Sequence, residues 1–211
     1  MTSDRDLTRA WQAQSLLLGY PDDQLLARRG LLTRAAESLE PAIGDPLLRF
    51  LWHLGERPAT ELAASYVETF DHRKRCCLFL TYYAHGDTRN RGMALLELKQ
   101  TYAAAGLRLS DEELPDHLAV VLEYAAAEPA AGREMLIRHR AGLELLRLAL
   151  HDADSPWAGV LDSISATLPP LIGDQRQAVA KLAAQGPPAE QVGLAPFAPP
   201  EYMPTPEGAA R

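Results

Sequence analysis

The sequence predicts an all-α chain. Apolar residues recur at helical spacing along almost its whole length, no stretch alternates as a half-buried strand would, and proline, glycine and Ser/Asp caps punctuate the periodic segments. These observations predict a single helical bundle over residues 1–185 and an extended, proline-rich tail over residues 186–211.

The first helix is expected from Asp4 to Leu18, with Leu7, Trp11 and Leu18 on one stripe; Gly19-Tyr20-Pro21-Asp22 stops it and starts the next. The second covers Asp23 to Leu39 and ends before Pro41. A third is placed at Asp45 to Leu54, with Pro46 at a favourable first-turn position. Pro58 opens a fourth, which carries Leu62, Tyr66 and Phe70. The apolar run Cys76 to Tyr83 has strand-favouring residues, but an isolated strand in a helical chain lacks a partner, so it is assigned to helix. His85-Gly86-Asp87-Thr88 is a break and a cap before a helix from Thr88 to Ala105, which Gly106 ends.

Ser110-Asp111-Glu112-Glu113 matches a capping box, yet Pro115 disfavours helical geometry at Leu114. The next helix therefore starts either at the box or at Pro115, and buries Leu118, Val121, Leu122 and Ala125. Pro129 opens the longest helix, to Leu150. A shorter one lies between Ser155-Pro156 and Pro169-Pro170, and Asp174 to Ala184 is the last. Prolines 187, 188, 196, 199, 200, 204 and 206 then exclude helix and give a polyproline-type tail, with Phe197, Tyr202 and Met203 as apolar anchors. That tail either packs along the bundle or docks a partner.

With 47% hydrophobic residues the 211-residue chain buries a sizeable core. A net charge of -7 argues against non-specific nucleic-acid binding and suits a basic partner. No stretch approaches the ~18 to 20 apolar residues of a membrane span, and the N-terminus lacks a signal-peptide core. The expectation is a cytoplasmic protein without direct membrane insertion. Adjacent Cys76-Cys77 agrees with a reducing compartment.

Catalytic chemistry finds little support. His72, Cys76, Cys77 and His85 lie close in sequence, but a closed zinc site draws four ligands from separated pairs and no second pair is present; buried or half-buried thiols are the expectation. A nucleophile elbow, a Walker loop and a dinucleotide fingerprint are all absent. The expectation is no enzyme, no metal and no cofactor. The run Asp71-His72-Arg73-Lys74-Arg75 reads as a solvated helix start or as a contact for an acidic surface.

One cluster stands out: Leu114-Pro115-Asp116-His117-Leu118 with Glu123. If all lie on one helix, Asp116, Val120 and Glu123 share a stripe, with the two acids about 10 Å apart along the axis. Asp116 then serves as first-turn acid and cap, as the rim of a peptide site, or both. Histidine as a residue type titrates near neutrality, so pH-sensitive recognition through His117 is an expectation.

Taken together, Tyr66-Val67-Glu68-Thr69-Phe70-Asp71, Leu78 to His85, Gly86-Asp87-Thr88-Arg89-Asn90-Arg91-Gly92, Leu95-Leu98-Tyr102-Gly106, Leu109 to Leu118 and Leu122-Glu123-Tyr124 resemble the TorD/DmsD/NarJ family of molybdoenzyme maturation chaperones, in its nitrate reductase branch. The resemblance covers residues 5–185, and Tyr66 to Tyr124 is its specific part. It implies an all-helical chaperone that binds the N-terminal peptide of the nitrate reductase catalytic (alpha) subunit, supports molybdenum-cofactor insertion, and delays membrane attachment until loading is complete. It further implies a client site of Pro115, Asp116, His117, Leu118 and Glu123, with Tyr66, Phe70 and Val121 as groove wall or floor. A chaperone for another molybdoenzyme and a helical adaptor unrelated to redox enzymes are the alternatives. As a helical bundle of this kind the chain is a monomer or a swapped dimer.

Overall fold

The computed structural model describes residues 3–110 and 113–185. Expectations that fall on the 186–211 tail lie outside the described residues. Among those described, eleven α-helices and one 3-10 turn make an all-helical bundle, with an isolated β-bridge and no strand.

Helix α1 (Asp4–Leu17) is capped by Ser3, whose side chain accepts from the Asp6 N–H at 3.2 Å. It sits centrally, packed between α7 (Leu118–Ala127) on one side and α2 (Asp23–Glu37) and α10 (Ala158–Ala166) on the other. Its buried side-chain donors are paired across the bundle, while the Gln14 Oε1 acceptor is buried without a partner among the described residues. Trp11 Nε1 donates to Thr167 Oγ1 at 3.0 Å, and Gln14 Nε2 to Ser163 Oγ at 2.8 Å. Trp157 Nε1 donates back to the Leu17 carbonyl at 3.2 Å. Trp11, Trp157 and Phe50 are the bulkiest buried side chains; each contributes about 2 to 3 kcal/mol of apolar burial, and the indole hydrogen bonds remove the penalty of hiding their N–H groups.

Helix α2 starts at the Asp22 cap and meets α3 (Pro41–Glu56) at close range. Gly44 makes that approach possible, because a Cβ there would lie 2.4 Å from the Ala36 carbonyl oxygen. Helix α3 begins earlier than its sequence suggests. Pro41, not Pro46, occupies the first turn, and Pro46 lies inside the helix. Helix α4 (Ala59–Phe70) follows Pro58 as expected.

The Cys76–Tyr83 assignment needs correction. Lys74–Cys76 is a 3-10 turn, Cys77 to Phe79 is extended, and helix α5 covers only Leu80–His85. The extended part finds a partner distant in sequence. Phe79 bridges His117 antiparallel, with Leu80 N–H donating to the Asp116 carbonyl at 2.9 Å and Leu118 N–H to the Leu78 carbonyl at 2.8 Å.

Helix α6 (Arg89–Ala104) follows the Gly86 break. Ser110 Oγ donates to Glu113 Oε2 at 2.8 Å, but residues 113–117 form a turn and the bridge, and α7 starts only at Leu118. The expected helix from Pro129 to Leu150 is two helices, α8 (Pro129–Arg138) and α9 (Arg140–Asp152), that meet at His139. They serve different neighbours: α8 packs on α7, whereas α9 packs on α10 and α11 (Gly173–Gln185). A straight helix cannot reach both. Gly132 lets α8 close on α7, since a Cβ there would lie 2.2 Å from the Ala125 Cα.

Candidate functional site

The Gly19-Tyr20-Pro21-Asp22 turn between α1 and α2, Tyr66 on α4, the 79/117 bridge and the first two turns of α7 surround a cleft of about 550 Å³. Its walls are mixed. Leu16, Phe79, Leu114 and Val120 give apolar surface, with Leu114 43% exposed. Asp22, Glu113 and Glu123 line it as acids against a single lining base, Arg28, so the described rim is negative. Ser15 reaches Glu123 Oε1 at 3.3 Å and the Ala119 carbonyl at 2.9 Å, which ties this wall to α1.

Tyr66 is half-buried at the cleft's base. Its hydroxyl donates to the Leu18 carbonyl at 3.1 Å, and its ring meets Tyr20 edge-on at 5.4 Å. Burial, helped by Asp71, pushes the phenol up to about 12, so it remains a donor throughout the neutral range. His117 caps α7 and takes the Ala119 N–H on Nδ1 at 3.3 Å. Burial lowers its pKa, and the opposing pull of Asp116 and Glu113 is smaller. A neutral ring suits that role, because only an unprotonated Nδ1 can accept.

The structure corrects the placement of Asp116. The residue is 0% exposed and precedes α7, so the expected Asp116–Val120–Glu123 stripe does not exist. Its Oδ2 accepts from the Thr81 hydroxyl and, at 3.3 Å, from the Thr81 N–H, and lies 3.6 Å from Arg91 Nη2. Its Oδ1 is buried without a hydrogen-bond partner. Arg91 also donates from Nε to Thr81 Oγ1 at 3.3 Å and lies over the Phe79 ring at 5.6 Å. Asp116 therefore locks the α5–α6 corner to the entry of α7, on the inner side of the bridge whose outer side forms the cleft wall.

Pro115 is likewise buried, and its carbonyl accepts from the Tyr102 hydroxyl at 2.7 Å. Leu118 and Val121 are fully buried core residues, not groove floor. Phe70 is half-buried, its ring tilted against Tyr66 at 4.8 Å and edge-on to Trp157 at 5.4 Å, and does not line the cleft. Of the eight expected site residues, Tyr66, His117 and Glu123 meet in one cleft; the other five stand behind it. Leu114, part of the cluster singled out in the sequence, does line the cleft; sequence reasoning missed Tyr20, Arg28 and Phe79 as lining residues. The signal for Tyr20 was an aromatic in a Gly-x-Pro-Asp turn, where packing against its own helix is impossible.

Burial disfavours chemistry at the thiols. Cys76 is buried and Cys77 half-buried, and burial raises both thiol pKa values, which disfavours the reactive thiolate. Among the described residues no group of three or more His, Cys, Asp or Glu could hold a metal ion.

With this geometry in hand, comparison with known proteins is specific. Residues 33–162 match the family described as nitrate reductase delta subunit. The chain is 34% identical over 172 residues to the probable nitrate reductase molybdenum cofactor assembly chaperone NarJ of Bacillus subtilis, covering 79% of this chain and 91% of that protein. It is 33% identical to the nitrate reductase molybdenum cofactor assembly chaperone NarJ of Escherichia coli K12, over 70% of this chain and 64% of that protein. It is also 37% identical to the nitrate reductase-like protein NarX of Mycobacterium tuberculosis over 74% of this chain, and spans only 24% of that longer protein. A crystal structure assigned to a redox enzyme maturation protein of Archaeoglobus fulgidus superposes with a TM-score of 0.56 at 21% identity, over 83% of this chain and 93% of the other, and so shares the fold.

Proposed function

The chain belongs to the nitrate reductase delta subunit family, and on that premise we propose that it is an assembly chaperone, not a catalyst, whose client is the N-terminal segment of a nitrate reductase catalytic subunit. It holds that subunit in the cytoplasm, competent for molybdenum-cofactor insertion, before the subunit joins its membrane partner. No described helix is long and apolar enough to cross a membrane.

The observation that carries this reading is the cleft between the α1–α2 turn and α7, with apolar walls and a negative rim. An amphipathic basic segment needs that combination: apolar walls for its hydrophobic face and carboxylates for its basic side chains. Exposed rim pairs contribute about 0.5 to 1 kcal/mol each. Ordering a disordered segment costs roughly 2 to 5 kcal/mol, which keeps the complex reversible. A chaperone that must release its client is served by that balance.

The test is calorimetric titration of the full chain with a synthetic peptide of the catalytic subunit's N-terminal segment. Saturable binding is expected, weakened by Leu114→Asp and by Glu123→Lys while both variants melt like the parent. Absence of binding, or equal binding by both variants, overturns the assignment. Tighter binding of another molybdoenzyme's leader peptide reassigns the client.

A further inference from the structure

A second hollow lies away from the cleft, between the 74–76 turn, α5, α9 and the last turns of α11. It holds about 460 Å³, with Tyr82, Leu145, Leu148 and Leu182 on its floor and Lys74 and Arg75 on its edge. Leu148 is 42% exposed. Neither Lys74 nor Arg75 has an ion-pair partner among the described residues, whereas neighbouring Arg73 pairs with Glu68 at 3.3 Å. A shallower hollow of about 320 Å³ continues the groove past Arg73. On a chain of net charge -7 this is a locally basic, apolar-floored surface, opposed by Asp152.

Where the chain leaves α11 says what covers it. Ala183 and Ala184 line the groove, and Gly186-Pro187-Pro188 follows directly. Residues 186–211 carry Phe197, Tyr202 and Met203 together with Glu190, Glu201 and Glu207, against Arg211 as their sole base. The segment's apolar anchors match the floor and its charge is opposite to the edge.

We infer that this groove is the docking site of the chain's own C-terminal segment. Phe197 to Met203 covers Leu145, Leu148 and Tyr82, and Glu201 faces Lys74 and Arg75. Twelve residues, 186–197, lead from the helix end to Phe197. At about 3.1 Å per residue in polyproline geometry they span roughly 37 Å, ample to fold back over a groove that begins at their own exit. Tethering supplies an effective concentration on the order of millimolar, so a weak contact suffices. The prolines restrict the free segment and lower the cost of ordering it. A basic client peptide would meet like charge here, which separates this surface from the cleft.

The test uses the full chain with the photocrosslinker p-benzoylphenylalanine replacing Phe197. Irradiation of the dilute protein should give crosslinks within one chain, mapped to residues 74–83 or 145–149. In the same chain, Lys74→Glu with Arg75→Glu should cut the crosslink yield about fivefold and leave the thermal melt unchanged. Crosslinks to a second copy, crosslinks elsewhere such as the acidic cleft, or no crosslinks at all overturn the inference.

Discussion

The cleft beside α7 and the groove beside the end of α11 are alike in size, about 550 and 460 Å³, and opposite in charge. Asp22, Glu113 and Glu123 edge the first; Lys74 and Arg75 edge the second. Apolar surface alone therefore does not separate one binding site from another on this bundle. Each hollow offers leucine and aromatic surface, and the sign of the rim decides which peptide is favoured. A second difference lies beneath the rims. The cleft wall is backed by the buried Asp116–Thr81–Arg91 lock, whereas the exposed leucine of each hollow, Leu114 at 43% and Leu148 at 42%, does not tell them apart. The acid that shapes the cleft is thus not one of the acids that line it.

The sharpest way to break this distinction is Asp116→Ala. Removal of the buried carboxylate strips Thr81 and Arg91 of their shared acceptor, while the backbone bonds of the 79/117 bridge remain. A loss of about 3 kcal/mol is expected, read by urea denaturation. Client affinity of the fraction that remains folded should change little. Full stability with abolished client binding would return Asp116 to the rim.

That expectation reverses the one drawn from sequence, and the reason is local. The helical period, the start at Asp22 and the stops at Gly19, Gly106 and Pro169 were readable, so the bundle and most of its helices were too. A period continued backwards from Leu118 makes Asp116 look like part of α7. Only the pairing of Phe79 with His117, 38 residues apart, ends the helix and turns Asp116 inward. The same non-local pair overturned the helix assigned to Cys76–Tyr83. The break at His139 was equally hidden, because α8 and α9 diverge to meet different partners and no proline or glycine marks the bend. Among the site residues, Tyr66 and Glu123 were legible as members of amphipathic helices. Phe79 was not, since it occupies irregular chain whose exposure depends on the whole fold.

Glu123→Lys should produce the next largest effect. Reversing an exposed rim charge removes one attraction and adds one repulsion, for about a tenfold loss of affinity for the basic client peptide at low salt. The loss should shrink as ionic strength rises, because the group is exposed and screened. An affinity that is unchanged and insensitive to salt would mean that the cleft recognises its ligand by apolar contacts alone.

His117 sharpens the description of the cleft wall. Its folded pKa lies below the ordinary 6.5, chiefly through burial. The unfolded chain therefore binds more protons as pH falls past 6.5, and the folded state loses stability in that direction. Protonation also removes the acceptor that caps α7. From pH 7 to 8 the ring stays neutral, and client affinity should be flat, contrary to a recognition switch near neutrality. His53 and His139 are shifted the same way, so the comparison needs His117→Asn, which keeps a capping acceptor without titrating. Chemical denaturation at pH 5.5 and 7.5 should show a smaller loss of stability for the variant than for the parent. Equal losses would place the pH response in the other two histidines.

The smallest expected effect is on client binding when the groove is altered. Lys74→Glu with Arg75→Glu changes the formal charge of the chain by -4, which disfavours no basic peptide at long range and if anything attracts it. If the groove held client, reversal of its edge would raise affinity for a basic segment well beyond that general attraction, and the gain would persist at salt concentrations that screen the surface at large. If the groove is reserved for the chain's own acidic segment, affinity for the client peptide should stay within about twofold of the parent at 0.15 M salt, where exposed charges farther away than roughly 8 Å are largely screened. Calorimetric titration of the same variant used for crosslinking gives both answers. A lost crosslink with unchanged client affinity separates the two hollows, and a large gain in client affinity joins them.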